Sequence, residues 1–208
     1  TESNDVVCMG IEHKMGLHGL ATCTIAYGDN GQCIGYLLGK RGRGIVEMFN
    51  MMNEQRLLVG LQGLSYSSAA FLHAVDYASD RKQGASVYPG EQKKGATVPI
   101  IEHPDVKRML LTMKSHVEGG RALAYFTSYC IDYADVTENE EKAEWQGLVD
   151  LLIPVVKAYL TNKAWEMTGM GIQCAGGYGY CADLPFERLA RDCKVSSIYE
   201  GTNGIQAM

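Results

Sequence analysis

Apolar residues recur every three or four positions along three long stretches of the chain, and each stretch predicts a helix. The first runs from Ile45 to about Ser79 through Met48, Met52, Leu58, Leu61, Leu64, Phe71 and Val75. Its middle carries Gly60, Gly63, Ser67, Ala70 and Ala74, small residues that let a second helix approach closely. The second starts at Pro104, where proline suits a first turn, and runs to about Tyr133 through Val106, Leu110, Met113, Val117, Leu123 and Phe126. The third spans roughly Glu144 to Met170, with Pro154 expected to kink it, and a short fourth covers about Pro185 to Lys194. Met48, Met51 and Met52 read as core and not as a ligand box. Three long helices plus a short one, joined by loops that suit antiparallel neighbours, predict a mainly α fold with an up-down four-helix bundle.

Ahead of the first helix the pattern is strand-like, at Val6–Met9, at Thr22–Tyr27 and in a third run from Cys33 to Leu38. Turn chemistry at Gly28, Asp29, Asn30 and Gly31 separates the last two. This β portion is too short to close a sheet of its own, so residues 1–40 are expected to be part of a larger β domain, with the helical bundle over 41–208. The loop 84–100, rich in glycine and proline, is long enough to predict functional or interface use, whereas the acidic run 135–141 reads as a solvated connection.

Composition narrows the function classes. A net charge of −5 argues against a general nucleic-acid binder, which needs a basic face, and no apolar run reaches the ~20 residues that span a bilayer. Thr1 is not followed by a charged and then apolar leader, so no secretory signal is expected, and because the first residue is not Met a processed or excised piece is expected. The seven cysteines include no CxxC pair and no histidine spacing suited to zinc, and they read as buried thiols of a reduced, cytoplasmic protein. The basic turn Gly39–Gly44 lacks the ending of a phosphate loop.

The chemistry concentrates in the last thirty-odd residues. Glu200 stands between Ile198, Tyr199 and Gly201 with little charge immediately around it. If buried there, its carboxylate would be poorly solvated and its pKa raised, which prepares a general base for work near neutral pH. The plainer reading is an ordinary carboxylate before a helix capped by Thr202 or Asn203. Upstream, Gly176, Gly177 and Gly179 follow a helix and not a strand, which rules out a Rossmann fingerprint. Their backbone amides can still meet a phosphate or ribose, and a plain turn between helices is the alternative.

Taken together, Gln173 with Gly176, Gly177 and Gly179, then Pro185, Glu187, Arg188, Arg191 and Asp192, then the run from Ile198 to Gln206 resemble the C-terminal signature of the flavin-dependent acyl-CoA dehydrogenases. Lys14, Gly16, Leu38, Gly39, Gly44, Arg56, Tyr77 and Arg81 also fall where that family has equivalents, so the resemblance covers nearly the whole chain. The runs 11–16, 51–63 and 101–108 look most like the longer-chain branch that includes 3-methylmercaptopropionyl-CoA dehydrogenase.

The resemblance implies an oxidoreductase of fatty-acid β-oxidation. In that family the glutamate matching Glu200 takes the α-proton of an acyl-CoA while the β-hydrogen leaves as hydride to N5 of FAD. It places Thr202 and Gln206 near the flavin, and Arg56, Tyr199 and Gly201 at the substrate and catalytic loop. It places Gln173, Gly176 and Gly177 at the ADP portion of FAD, with Arg81 reaching that portion from a neighbouring subunit. A homodimer or homotetramer and electron-transfer flavoprotein as partner are implied as well. The match departs from the family in lacking its N-terminal helical domain and the first half of its β domain, and in carrying Gly204 where many relatives place a flavin-contacting glutamine. The 208-residue chain alone is therefore expected to bind FAD poorly or not at all. Two alternatives stand beside this reading: an acyl-CoA oxidase-like or nitroalkane oxidase-like relative, and a non-catalytic helical oligomerisation module. The glutamate at 200 favours acyl-CoA over nitroalkane chemistry, where the base is usually aspartate.

Overall fold

The computed structural model describes residues 3–88, 90, 95–138 and 140–207. Thr1 and Pro89 lie outside the described residues, as does the side chain of Asn50. The chain divides into two compact units, one up to Met52 and one over Asn53–Met208.

In the first unit, β1 (Val6–Ile11) pairs antiparallel with β2 (Cys23–Tyr27), with a register irregularity between Cys8 and Gly10. The expected third strand at 33–38 does not form. The side chain of Asn4 takes over the backbone of that run, accepting from Ile34 N at 3.0 Å and donating to Ile34 O at 2.9 Å. Asp5 likewise accepts the N–H groups of Asn30 and Gln32, which folds the glycine turn onto a side chain instead of a ladder. Cys8 and Cys23 are exposed and Cys33 half-buried, because no second layer within the unit covers this two-stranded ribbon. The expectation of seven buried thiols holds for Cys130, Cys174 and Cys193 only; Cys181, in the turn before the fourth helix, is exposed too.

The helices fall close to their expected places. They are α1 (Gly44–Asp80), α2 (Pro104–Val136), α3 (Glu141–Ala175), which runs through Pro154 as one element, α4 (Phe186–Cys193) and a final single turn, α5 (Asn203–Gln206). The architecture is mainly α, a helical bundle with a two-stranded sheet. Small residues set a close contact between α1 and α3. A β-carbon added at Gly60 would lie 2.7 Å from Val156 Cγ1, and one added at Gly63 would lie 2.8 Å from Leu160 O, so α1 meets α3 nearly backbone to backbone. Farther along α1, Ala70, Ala74 and Ala78 are sealed against Met113, Met167 and Phe186, while Leu64, Val117, Ala124, Val156 and Leu160 form a second cluster. A third joins Cys130, Ala134, Val149 and Ile153 at the α2–α3 end.

Not every apolar position is core. Leu58 is exposed because it lies about 200° around the helix from Gly60, the face that α3 covers. Phe126 is exposed, and the methionine row at the start of α1 is not core: Met48 is 44% and Met51 55% exposed, and Met52 is half-buried. The 84–100 loop is pinned at its base, where Lys82 bridges Pro99 and Ile100 N donates to Arg81 O at 2.7 Å. No helix among the described residues is long and apolar enough to cross a membrane.

Candidate active site

After α4 a short 3₁₀ turn (Lys194–Ser197) leads into a reversal built from two consecutive left-handed residues, Glu200 at φ 55° and Gly201 at φ 79°. Glycine takes this conformation freely, whereas for glutamate it costs roughly 1–2 kcal/mol. The surrounding contacts over-determine it. A side chain at 201 would strike Gln206 Nε2 at 2.5 Å, and that same Nε2 donates to Gly201 O at 3.2 Å. Thr202 precedes α5 without a side-chain cap bond, and the side chain of Asn203 is bonded to α3 instead, so neither caps the turn that follows Glu200.

The loop is tied to the bundle at three points. Lys157 of α3 is fully buried and donates from Nζ to Gly201 O and to Asn203 Oδ1, each at 2.8 Å. Asn203 Nδ2 in turn donates to Ala158 O, Thr161 Oγ1 and Asn162 Oδ1 at 2.8–3.2 Å. Tyr199 donates from its hydroxyl to Gln62 Oε1 of α1 at 2.5 Å. Burial is the largest influence on both ionisable anchors. It pushes Tyr199 up, and it pushes Lys157 down to about 8, with Arg56 acting in the same direction and the charge of Glu200 partly offsetting it.

Glu200 is half-buried and Ile198 is 59% exposed, so this chain does not by itself enclose the carboxylate in apolar surroundings. What it does supply is a fixed turn with two cations behind it. Arg56 bonds Asn53 Oδ1 at 3.4 Å, and its Nη2 lies 3.6 Å from where a β-carbon on Gly201 would stand. Arg56, Tyr199, Glu200, Gly201 and Gln206 are thus brought together, with Thr202 exposed beside them.

A second group gathers where α3 ends. Gly176, at φ 60°, closes α3 by donating its N–H to Gln173 O, and the turn Gly176–Tyr180 follows. Gly176 and Gly177 are exposed, with open space where side chains would be, whereas Gly179 is buried against Ile172 O. The Arg81 guanidinium lies over the ring of Tyr178, 5.7 Å from its centroid. An exposed cation beside two exposed glycines, which let a ligand approach the backbone closely, suits a diphosphate. This group is remote from the first. Arg56 and Arg81 are about 37 Å apart along α1, and Lys157 and Gln173 about 24 Å apart along α3, at 1.5 Å per helical residue.

Sequence reasoning missed Lys157 and Gln62, and it took Asn203 for a helix cap where the side chain is instead bonded to Lys157 and α3. Lys157 did carry a signal: it falls among Ile153, Val156, Leu160 and Ala164 on the core-facing stripe of α3, where a charged residue needs a buried partner.

Comparison with known proteins matches this architecture to one class. The family model described as acyl-CoA dehydrogenase, C-terminal domain, matches residues 42–208. The chain belongs to the acyl-CoA dehydrogenase family. A butyryl-CoA dehydrogenase of Syntrophomonas wolfei subsp. wolfei is 42% identical over 210 residues, covering 98% of this chain and 34% of that protein. The 3-methylmercaptopropionyl-CoA dehydrogenase of Ruegeria pomeroyi is 40% identical over 207 residues, covering 100% of this chain and 34% of that protein. Among solved structures, ACDH-11 of Caenorhabditis elegans in complex with C11-CoA has a TM-score of 0.83 at 25% identity, over 98% of this chain and 32% of that one. The chain spans about a third of the length of these curated relatives.

Proposed function

We propose that this chain forms the C-terminal helical domain of an acyl-CoA dehydrogenase, residues 41–208, with an adjoining piece of its middle β domain at 1–40, and that Glu200 takes the α-proton of a bound acyl-CoA. The observation that carries the reading is the strained turn at Glu200, a left-handed non-glycine residue in a loop bonded to Lys157 of α3, to Gln62 of α1 and, through Asn203, to Ala158 O of α3. Strain of this kind persists where its surroundings over-determine it, and it is characteristic of functional positions.

The chemistry follows from the geometry. A carboxylate on a fixed turn meets the substrate α-carbon with little loss of freedom at the moment of reaction, and α,β-dehydrogenation needs that proton removed as the β-hydrogen departs. FAD, when bound, supplies the hydride acceptor at N5. Thr202 and Gln206 flank the turn and would face the flavin, while Arg56, Tyr199 and Gly201 would frame the thioester. The exposed cradle of Gln173, Gly176 and Gly177, with Arg81 above Tyr178, fits the ADP portion of FAD.

The two groups stand farther apart in one chain than the ring and diphosphate of one dinucleotide, so one FAD takes its ring contacts from one copy and its ADP contacts from a second. The working protein is therefore at least a homodimer, and a homotetramer is a dimer of such dimers. Electron-transfer flavoprotein is the electron acceptor in this reading. Anaerobic titration of the full-length enzyme with a panel of acyl-CoAs tests it. Bleaching of the flavin by one or more of them is expected, and a flavin-loaded enzyme that no acyl-CoA bleaches would contradict it.

A further inference from the structure

A lysine sealed in a helix–helix contact is costly, and a well-packed apolar residue is often as stable or more so, so its bonds need a reason. Lys157 lies where Gly60 and Gly63 bring α1 onto α3, between Val156 and Leu160, and it is fully buried. Both of its hydrogen bonds run to the loop, to Gly201 O and Asn203 Oδ1, one residue and three residues after Glu200. An ammonium only donates, which fixes the orientation of the Asn203 amide: oxygen toward Lys157, nitrogen toward Ala158 O, Thr161 Oγ1 and Asn162 Oδ1. The stretch Lys157–Asn162 of α3 thereby grips the loop at Gly201 O and at the Asn203 side chain.

We infer that Lys157 is a positioning residue for Glu200: through Gly201 O and Asn203 Oδ1 it holds the left-handed turn that aims the carboxylate. This rests on the reading of Glu200 as the base. Lys157 itself touches neither substrate nor cofactor. Its work is geometric, because without the clamp the turn at Glu200 relaxes toward the ordinary right-handed or extended regions and the carboxylate leaves its place. Its lowered pKa is compatible with this role, since a neutral amine still has two N–H donors for the two acceptors.

The test uses the full-length, flavin-loaded enzyme and compares Lys157→Met, Asn203→Ala and Glu200→Gln with the wild type, measuring kcat, KM, flavin content and Tm for each. A misplaced base of this kind is expected to lower kcat about 10- to 100-fold in Lys157→Met, with KM within about twofold and flavin content unchanged. Asn203→Ala keeps the Gly201 bond and is expected to lower kcat about tenfold in the same pattern. If Lys157→Met does not fold, Asn203→Ala decides. Wild-type kcat in the variants, or a kcat loss that only tracks lost flavin, overturns the positioning role. Full activity in Glu200→Gln would instead remove the reading of Glu200 beneath it, so the two failures are distinct.

Discussion

The hydroxyl of Tyr199 lies 2.5 Å from Oε1 of Gln62, which ties the residue before the proposed base to the middle of α1. Gln62 Nε2 continues the chain to the Tyr66 hydroxyl at 3.4 Å. Tyr199→Phe removes the donor and leaves a half-buried carbonyl without it, so it is expected to destabilise by about 1 kcal/mol, or about 3 °C in Tm. Differential scanning calorimetry checks the shift.

The close approach of α1 and α3 gives a prediction of opposite signs at two glycines. Gly63→Ala places a methyl 2.8 Å from Leu160 O, and overpacking of this kind is expected to cost about 1–3 kcal/mol. Gly119→Ala, in α2 with nothing near its added methyl, is expected to stabilise by about 0.5–1 kcal/mol. Urea denaturation of the two variants side by side reads both values.

Lys157 gives stability a pH dependence whose sign is the reverse of that for a lysine with a raised pKa. In the unfolded chain it keeps its proton to about 10.5, whereas in the folded protein it releases it near 8. Between these values the unfolded state binds more protons, so stability rises with pH across that window, and below about 8 the penalty is fully present. The Cys174 thiol, pushed up to about 11 by burial, contributes an opposite slope above 9. Subtracting the unfolding profile of Lys157→Met cancels that contribution, and the difference is expected to grow from pH 8 to 10.

The cofactor reading makes its own demands. On the proposed reading, the 208-residue chain alone is expected to purify without a stoichiometric flavin absorbance. In the full-length enzyme, Arg81→Ala is expected to weaken flavin retention about tenfold, the effect of losing one charge-assisted contact. Spectrophotometry after gel filtration measures both.

Much of this was legible before the structure. The 3.6-residue period located α1, α2 and α3 to within a few residues, since these helices bury one face along most of their length. The small-residue stripe predicted the close contact that Gly60 and Gly63 make with α3. The period did not separate Leu58, Phe126 and Met48 from the core, because it locates an apolar face without saying whether a neighbour covers it. The run 33–38 had strand composition and no strand beside it, and Asn4 captured its backbone instead. At the site, motif residues marked the loop and Arg56, but Lys157 and Gln62 act through folding: they reach it from positions more than 40 and 130 residues away along the chain. Only packing brings them there.

The central claim is that Glu200 is the base, and α-proton exchange tests it most directly. The full-length enzyme and its Glu200→Gln variant, each flavin-loaded, are incubated with an acyl-CoA in deuterated water, and deuterium entering the α-position is measured by mass spectrometry. The account predicts exchange in the wild type and its loss in the variant, with flavin content unchanged. Exchange at the wild-type rate in Glu200→Gln would contradict it and assign the proton to another group.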